Sequence, residues 1–569
     1  MTSATLTAQR RYGFDFSRPV FVLLALLLCL LVIFPMFWLV YYSLRDTAGH
    51  FTLGNFIALV ADPTMVRAFW ITGLMALGVG LLSTVVATPM AWLVARTDLP
   101  GRRIVRVLVL ASFVTPPFLG AIAWEILAAP NSGIINVVYR WMTGNEAALV
   151  NIYTFSGIIF AIACYTFPYV FTLVANALDR VPSDLEEASS ILGAGWTTTL
   201  RKVTFPLVLP ALLAGALIAL LQALTLFGTP AILALPAGFH VITTKIWSLF
   251  QFPPQPGLAA AAALPLLIVT VLLLRGQKWI LGRKGYTVLG GKSGAPRITK
   301  LGAMKWPAFA LVGFILSLTV IFPYAALIKA AFTQNIAEPL TFASLTLQHF
   351  QFVFFEYSAA RLAMWNTMLL GLLSATAVTA LVLVISYIVT RRSFKGAAIL
   401  GFLATAPIAI PGVVLGVGLF LAYANPTFML YGTLWILFIA FLTIEMPAGY
   451  QQMSSSMSGI HTDLEEASRI FGASRLKTLW LITTPLLKTS IIATWCFVFI
   501  GTIRELSATI LLTTANTKLV SVVIYDLNES GNLGAISVLG LTLLAISFAV
   551  VFVAQRVPLM SGSRLQARG

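Results

Sequence analysis

Residues 20–44 pass without a single charged side chain, and residues 308–327 repeat the feature. Each run is long enough to cross roughly 30 Å of hydrocarbon as a helix. The rest of the 569-residue chain agrees, since only 10% of it is charged, against about 25% in soluble domains. A chain so apolar cannot hide its surface from water, so lipid must be its solvent.

Hydropathy divides the chain into about twelve spans. The first half gives 20–44, 68–95, 105–128, 152–178, 205–229 and 258–275. The second gives 307–331, 362–390, 397–423, 430–456, 485–512 and 533–555. The formal charge of +17 would suggest nucleic acid in a soluble protein. Here Lys and Arg cluster in short segments between apolar runs, such as Arg96, Arg102, Arg103 and Arg106, or Arg391, Arg392 and Lys395. Topology explains that pattern without nucleic acid: basic loops stay in the cytoplasm, and an even number of spans puts both termini there.

The expected fold class is therefore an all-α membrane protein of about twelve transmembrane helices. Its expected parts are a cytoplasmic N-terminal segment 1–19, a first unit 20–275, a cytoplasmic linker 276–306, a second unit 307–556 and a cytoplasmic tail 557–569. The linker is basic and Gly-rich. Its Gly291-Lys292-Ser293 has Tyr286 where a phosphate-binding loop needs Gly, which argues against ATP binding there, and its basic run reads as a cytoplasmic anchor near anionic lipid. Cys29, Cys164 and Cys496 lie far apart in apolar runs and suit small core residues. His50, His240 and His349 are scattered over outer loops and read as surface residues.

The two units are copies of each other. The segment DLEEASSILGAGWTTTLRKVTFPL from Asp184 matches DLEEASRIFGASRLKTLWLITTPL from Asp463. Glu187 and Glu466, Gly193 and Gly472, and Pro206 and Pro485 are each 279 residues apart, as are Pro168 and Pro447 in the preceding span. Val32-Ile33-Phe34-Pro35 matches Val320-Ile321-Phe322-Pro323, Trp70 and Thr72 match Trp365 and Thr367, and Arg96 matches Arg391. Equivalent points lie six spans apart, so the repeat is parallel, with a pseudo-twofold axis along the membrane normal and a pathway between the halves.

The repeated segment falls in the loop between the fourth and fifth spans of each half. Leu185, Ala188, Ser189 and Leu192 lie on one face of a short helix, as do Leu464, Ala467, Ser468 and Phe471. Ser183 with Glu186, and Thr462 with Glu465, fit a capping box. Gly193 and Gly472 suit the helix ends, and Pro206 and Pro485 the start of the next helix. A helix lying on lipid would carry a basic polar face. Asp184, Glu186 and Glu187 give this one an acidic face, which favours docking to protein.

This loop resembles the E-A-A, three residues, G, nine residues, I-x-L-P signature of binding-protein-dependent ABC importer permeases. The first copy reads Glu187-Ala188-Ser189, Gly193 and Val203-Thr204-Phe205-Pro206. The second reads Glu466-Ala467-Ser468, Gly472 and Ile482-Thr483-Thr484-Pro485. Ser replaces the second Ala in both copies, and Phe or Thr replaces the Leu. The resemblance implies the type I importer transmembrane fold, in the bacterial inner membrane. It also implies that the loop couples the permease to an ATPase through Asp184, Glu186, Glu187, Ala188 and Gly193 in one copy and Glu465, Glu466, Ala467 and Gly472 in the other. Two copies of a cytoplasmic ATPase subunit would dock there, a periplasmic binding protein would deliver substrate, and ATP and Mg would be held by the ATPases. This chain itself would bind no cofactor and catalyse no covalent step.

The fused form, with Leu226-Phe227-Gly228-Thr229-Pro230 in one half and Ile503-Arg504-Glu505-Leu506-Ser507 in the other, resembles the ferric-iron and thiamine permease group. Ferric iron is the expected cargo. Iron permeases often carry an acidic residue where this chain has Leu226. Phosphonate, sugar phosphate, thiamine and polyamine are the alternatives. Charges within spans default to functional roles. Glu125, Glu445, Arg504 and Glu505 are the candidates, and the oxygen ligands among them suit a hard cation. The competing expectation is that Arg504 pairs with a carboxylate to hold helices together. An ion-gradient-driven carrier would have no need of the acidic repeated loop. No H-E-x-x-H or G-x-S-x-G motif points to a membrane enzyme.

Overall fold

A computed structural model describes residues 17–566 except 47, 283–297, 337, 339–340, 392–395 and 425–427. The N-terminal arginines Arg10 and Arg11 and the Gly291-Lys292-Ser293 segment lie outside the described residues. Among the described residues, nine helices are long and apolar enough to cross a membrane, and three bent helix pairs raise the number to twelve. They coincide with the twelve expected spans. The protein is a two-repeat, all-helical bundle.

The bends correct the simple picture of straight spans. The third span of each half breaks sharply: Arg102–Val114 meets Pro117–Ala128 at 99°, and Ala397–Ala409 meets Gly412–Tyr423 at 109°. Pro116 and Pro411 stand at the two breaks in extended conformation. Proline has no N–H for the helical ladder and pushes its predecessor out of the helical region, so the chain turns there.

Four other prolines sit within helices because the preceding turn is widened. The N–H of Phe34 reaches back five residues to Cys29, that of Phe322 to Ser317, Phe205 to Leu200 and Thr484 to Leu479. The next residue in each case is Pro35, Pro323, Pro206 or Pro485. A π turn makes room for the proline ring while the backbone remains bonded. Pro206 and Pro485 therefore do not begin the fifth spans, as their sequence context suggested. The first of these helices begins at Thr197, and the second at Arg475 with an 82° bend after Leu486.

The halves interlock through their first spans. The Tyr324 hydroxyl, in the first span of the second half, lies 2.7 Å from the Thr115 hydroxyl at the break in the first half. Conversely, Thr443 of the second half donates to the Leu31 oxygen at 3.4 Å. A Cβ added at Gly418 would meet the Pro35 oxygen at 3.0 Å, so glycine permits this close approach. Each first span is thus packed on the opposite half.

The described end of the linker docks on the first half. Thr299 donates its N–H to the Arg96 oxygen at 2.8 Å, and Asp98 accepts from the Leu301 N–H at 2.9 Å. Lys305 lies 3.5 Å from the Asp98 carboxylate. Cys29, Cys164 and Cys496 are unpaired, the last two buried. Part-buried His349 packs on Gly534, with Nε2 3.0 Å from the Thr333 oxygen, and His240 is also partly buried. Of the three loop histidines, only His50 is a plain surface residue.

Candidate functional site

The repeated acidic segments form two short loop helices, Ser183–Ile191 and Asp463–Ile470. Each ends on a glycine in the left-handed region, Gly193 at φ +81° and Gly472 at φ +83°. The Ala194 N–H bonds to the Ser189 oxygen and the Gly193 N–H to the Ser190 oxygen; Ala473 and Gly472 repeat this with Ser468 and Arg469. This closure needs positive φ at its centre, which glycine adopts without a Cβ clash.

The expected capping boxes do not form. Pro182 occupies the N-cap position of the first loop helix, and Thr462 caps the second with no side-chain bond. Glu186 and Glu465 are instead buried and turned toward the bundle. Glu465 takes three hydrogen bonds of 2.9–3.1 Å from Nε and Nη2 of Arg391, and a fourth of 3.1 Å from Thr483. Glu186 accepts from Thr204 at 2.7 Å and lies 3.7 Å from Arg96 Nη1. Arg96 Nη2 donates to the Val181 oxygen at 2.8 Å, and Arg391 Nη2 to the Ile460 oxygen at 3.1 Å. A guanidinium fork matches a carboxylate geometrically, and removing one partner from such a buried pair costs about 3–5 kcal/mol.

Most of the remaining residues of these helices point away from the bundle. Asp184, Glu187, Ala188, Glu466 and Ala467 are exposed. So are Leu185, Ile191 and Leu192 in the first helix, and Leu464, Ile470 and Phe471 in the second. The face expected to be apolar thus exists in both copies and is uncovered. Ser189 and Ser468 bond to Thr199 and Thr478, which fixes each loop helix against the helix that follows.

The intramembrane charges form a separate group. The fifth spans stop at Thr225 and Ile503, so Arg504 and Glu505 lie beyond the helix end rather than inside it. Irregular backbone at membrane depth persists only where protein or a cavity satisfies it. Side chains do so symmetrically here. Thr243 donates to the Leu226 oxygen at 2.9 Å, and Ser521 to the Glu505 oxygen at 2.8 Å. The same segments are held by the second spans: Ile242 N–H bonds to Thr72 Oγ1 at 2.8 Å and Val520 N–H to Thr367 Oγ1 at 3.0 Å.

Glu505 accepts from the Ala508 N–H at 2.9 Å and lies near Gly412, whose Cβ would meet Glu505 Oε1 at 3.2 Å. Gly412 opens the helix Gly412–Tyr423, and a helix N-terminus favours negative charge. Glu445 is buried against Gly501, where a Cβ would overlap the carboxylate. Arg504 itself forms no ion pair within 4.0 Å among the described residues; it donates from Nη1 to the Phe113 oxygen of the other half at 2.8 Å and covers the Phe113 ring. The expected structural pairing with a carboxylate is thus replaced by a link between the halves. Glu125 stands apart from this group and accepts from the Tyr153 hydroxyl at 2.7 Å. Among the described residues, no three His, Cys, Asp or Glu side chains are placed to hold a metal ion together.

Sequence reasoning gave no role to Thr204, Thr483, Phe113 or Gly501, and read Arg96 and Arg391 as topological charges at matched positions. The signal for the two arginines was present: they recur at matched positions of the repeat.

A family model described as the binding-protein-dependent transport system inner membrane component matches residues 87–285 and again 382–558. The chain is 27% identical over 566 residues to the ferric transport system permease protein FbpB of Actinobacillus pleuropneumoniae, covering 96% of this chain and 80% of the relative. It is 28% identical over 511 residues to the putative ferric transport system permease protein FbpB 1 of Haemophilus influenzae, covering 88% and 79%. A chain from the crystal structure of a bacterial ABC transporter involved in the import of the acidic polysaccharide alginate aligns with 47% of this chain and 97% of its own length. The sequence identity is 19% and the TM-score 0.39.

Proposed function

Since the chain belongs to the family of binding-protein-dependent transport system inner membrane components, we propose that it supplies both membrane halves of an ATP-driven importer whose cargo is ferric iron. It is a multi-pass inner-membrane permease, and ATP hydrolysis belongs to a separate subunit. Two copies of that subunit dock on the loop helices Ser183–Ile191 and Asp463–Ile470, with both chain termini on the same, cytoplasmic, side. ATP and Mg are bound by those subunits, and a periplasmic binding protein loads the opposite mouth.

One observation carries the docking assignment. Both loop helices expose an apolar tip, Ile191-Leu192 or Ile470-Phe471, beside an outward carboxylate, Glu187 or Glu466. Small Ala188 and Ala467 let a partner's cleft approach the helix backbone, and Gly193 and Gly472 turn the chain back to the bundle. Ferric iron is supported by the names of the two full-length relatives and by the oxygen donors Glu445 and Glu505, a donor type suited to a hard cation, the second of them next to the Arg504 that bonds to the other half. Glu125 is a more distant candidate for the route.

The docking test is co-purification with candidate ATPases. Glu187→Arg combined with Glu466→Arg is expected to abolish it, and intact assembly with intact ATP-dependent uptake overturns the assignment. The cargo test is uptake of radiolabelled iron(III) into vesicles containing the whole system, with competing thiamine or phosphonate. Arg504 favours an anionic cargo as the second reading, and uptake of radiolabelled phosphonate by vesicles that take up no iron would establish it.

A further inference from the structure

We propose that Arg96–Glu186–Thr204 and Arg391–Glu465–Thr483 are the transmission joints of the transporter, carrying motion of each loop helix into the membrane. This rests on the reading of the loop helices as ATPase docking levers, but it gives Glu186 and Glu465 a different role from their outward neighbours. A residue that touches the ATPase has to be exposed. Glu186 and Glu465 are buried.

Each carboxylate ties its own loop helix to two other elements. The arginine lies at the end of the second span, the glutamate on the loop helix, and the threonine in the π turn at the start of the fifth span. A loop helix fastened in this way cannot move without taking both spans along. The second spans Pro63–Arg96 and Ser358–Thr390 are unbroken helices, and Arg391 directly follows the latter. Their other ends hold the irregular segments: Thr72 bonds to Ile242, and Thr367 to Val520. Thr72 and Arg96 are separated by about 36 Å along one continuous helix at 1.5 Å per residue, with Pro89 inside it. A displacement at the carboxylate thus reaches the segments whose Thr243 and Ser521 support Leu226 and Glu505.

The same triad occurs twice, at positions matched by the repeat, but the two are not equally tight. Arg391 grips Glu465 through Nε and Nη2 at 2.9–3.1 Å, whereas Arg96 reaches Glu186 at 3.7 Å. The described linker is bonded only to the loop carrying Arg96, through Thr299 and Leu301. The second joint therefore transmits more stiffly than the first.

The test uses the full chain assembled with its ATPases in lipid nanodiscs. Spin labels on exposed Asn145 and Gln334, on the face opposite the loop helices, report the mouth as nucleotide is added and trapped. Glu186→Gln with Glu465→Gln is expected to keep co-purification and ATP hydrolysis while the nucleotide-driven change in label distance is lost. Glu465→Gln alone should do more than Glu186→Gln alone. Arg391→Lys, which keeps the charge but not the fork, should preserve the distance change only in part. Should the paired variant not fold, Thr204→Val with Thr483→Val leaves both ion pairs in place and is expected to shrink the distance change in a folded assembly. An unaltered distance change in whichever pair folds overturns the proposal, and so does loss of ATPase binding by the folded Gln pair. Failure of the docking reading is distinguishable: Glu187→Arg with Glu466→Arg would then leave ATPase binding intact.

Discussion

Arg504 reaches across the pseudo-twofold interface and donates from Nη1 to the backbone oxygen of Phe113 at 2.8 Å, with its guanidinium over the Phe113 ring at 5.3 Å. The arginine that precedes Glu505 is thereby occupied by the opposite half. A hydrogen bond to a charged group contributes about 1.5–3 kcal/mol. Arg504→Ala is expected to lower the melting temperature of the purified protein and to loosen the contact between halves. A cysteine cross-link placed across that interface should form faster in the variant; an unchanged rate and melting temperature would show the contact to be dispensable.

Gly501 makes room for the Glu445 carboxylate, which a Cβ would overlap. Gly501→Ala is expected to destabilise by about 1–3 kcal/mol, the usual range for overpacking, and to reduce transport. Adding Glu445→Ala should recover the stability but not the transport, if the carboxylate belongs to the pathway. Thermal unfolding and vesicle uptake on the two single variants and the double variant separate these effects.

The tips of the loop helices are exposed, so they contribute little to folding. Leu192→Asp with Phe471→Asp should leave thermal stability within about 0.5 kcal/mol, as surface changes do, and should still abolish co-purification with the ATPase. A large fall in melting temperature would instead mean that these side chains are covered within the permease.

Asp98 anchors the linker. The Leu301 N–H, with Lys305 alongside, holds its carboxyl below the usual carboxylate value. A depressed value in the folded state means that the docking is fully supported above the unfolded-state pKa, about 3.9, and is lost as pH falls through the lower folded value. Hydrogen-exchange protection of the Thr299 and Leu301 amides should therefore be flat from neutral pH down to about 4 and fall below it. Asp98→Ala should remove the protection at neutral pH; if protection persists there, the backbone pairing of Thr299 with Arg96 suffices to dock the linker.

Much of this architecture was legible in the sequence because lipid imposes simple rules. Uncharged runs fixed the number of spans, the repeated acidic loops with their glycines located the two loop helices, and the glycines end those helices as the spacing implied. The matched pairs Trp70–Trp365, Thr72–Thr367 and Arg96–Arg391 established two parallel copies, and two of these pairs prove to make equivalent contacts.

What the one-dimensional pattern could not determine was where side chains point once three elements converge. Glu186 and Glu187 are adjacent and chemically identical, yet one is buried and the other exposed. Only the approach of Arg96 and Thr204, distant in sequence, selects between them, because a buried carboxylate is tolerated only where charge and hydrogen bonds compensate it. The same holds for Arg504: its charge was evident in the sequence, but its partner is the Phe113 carbonyl of the other half. The sequence by itself determined a two-copy helical membrane protein with two exposed acidic loops. Tertiary structure alone decided which of those acids face outward and which fasten the loops to the spans.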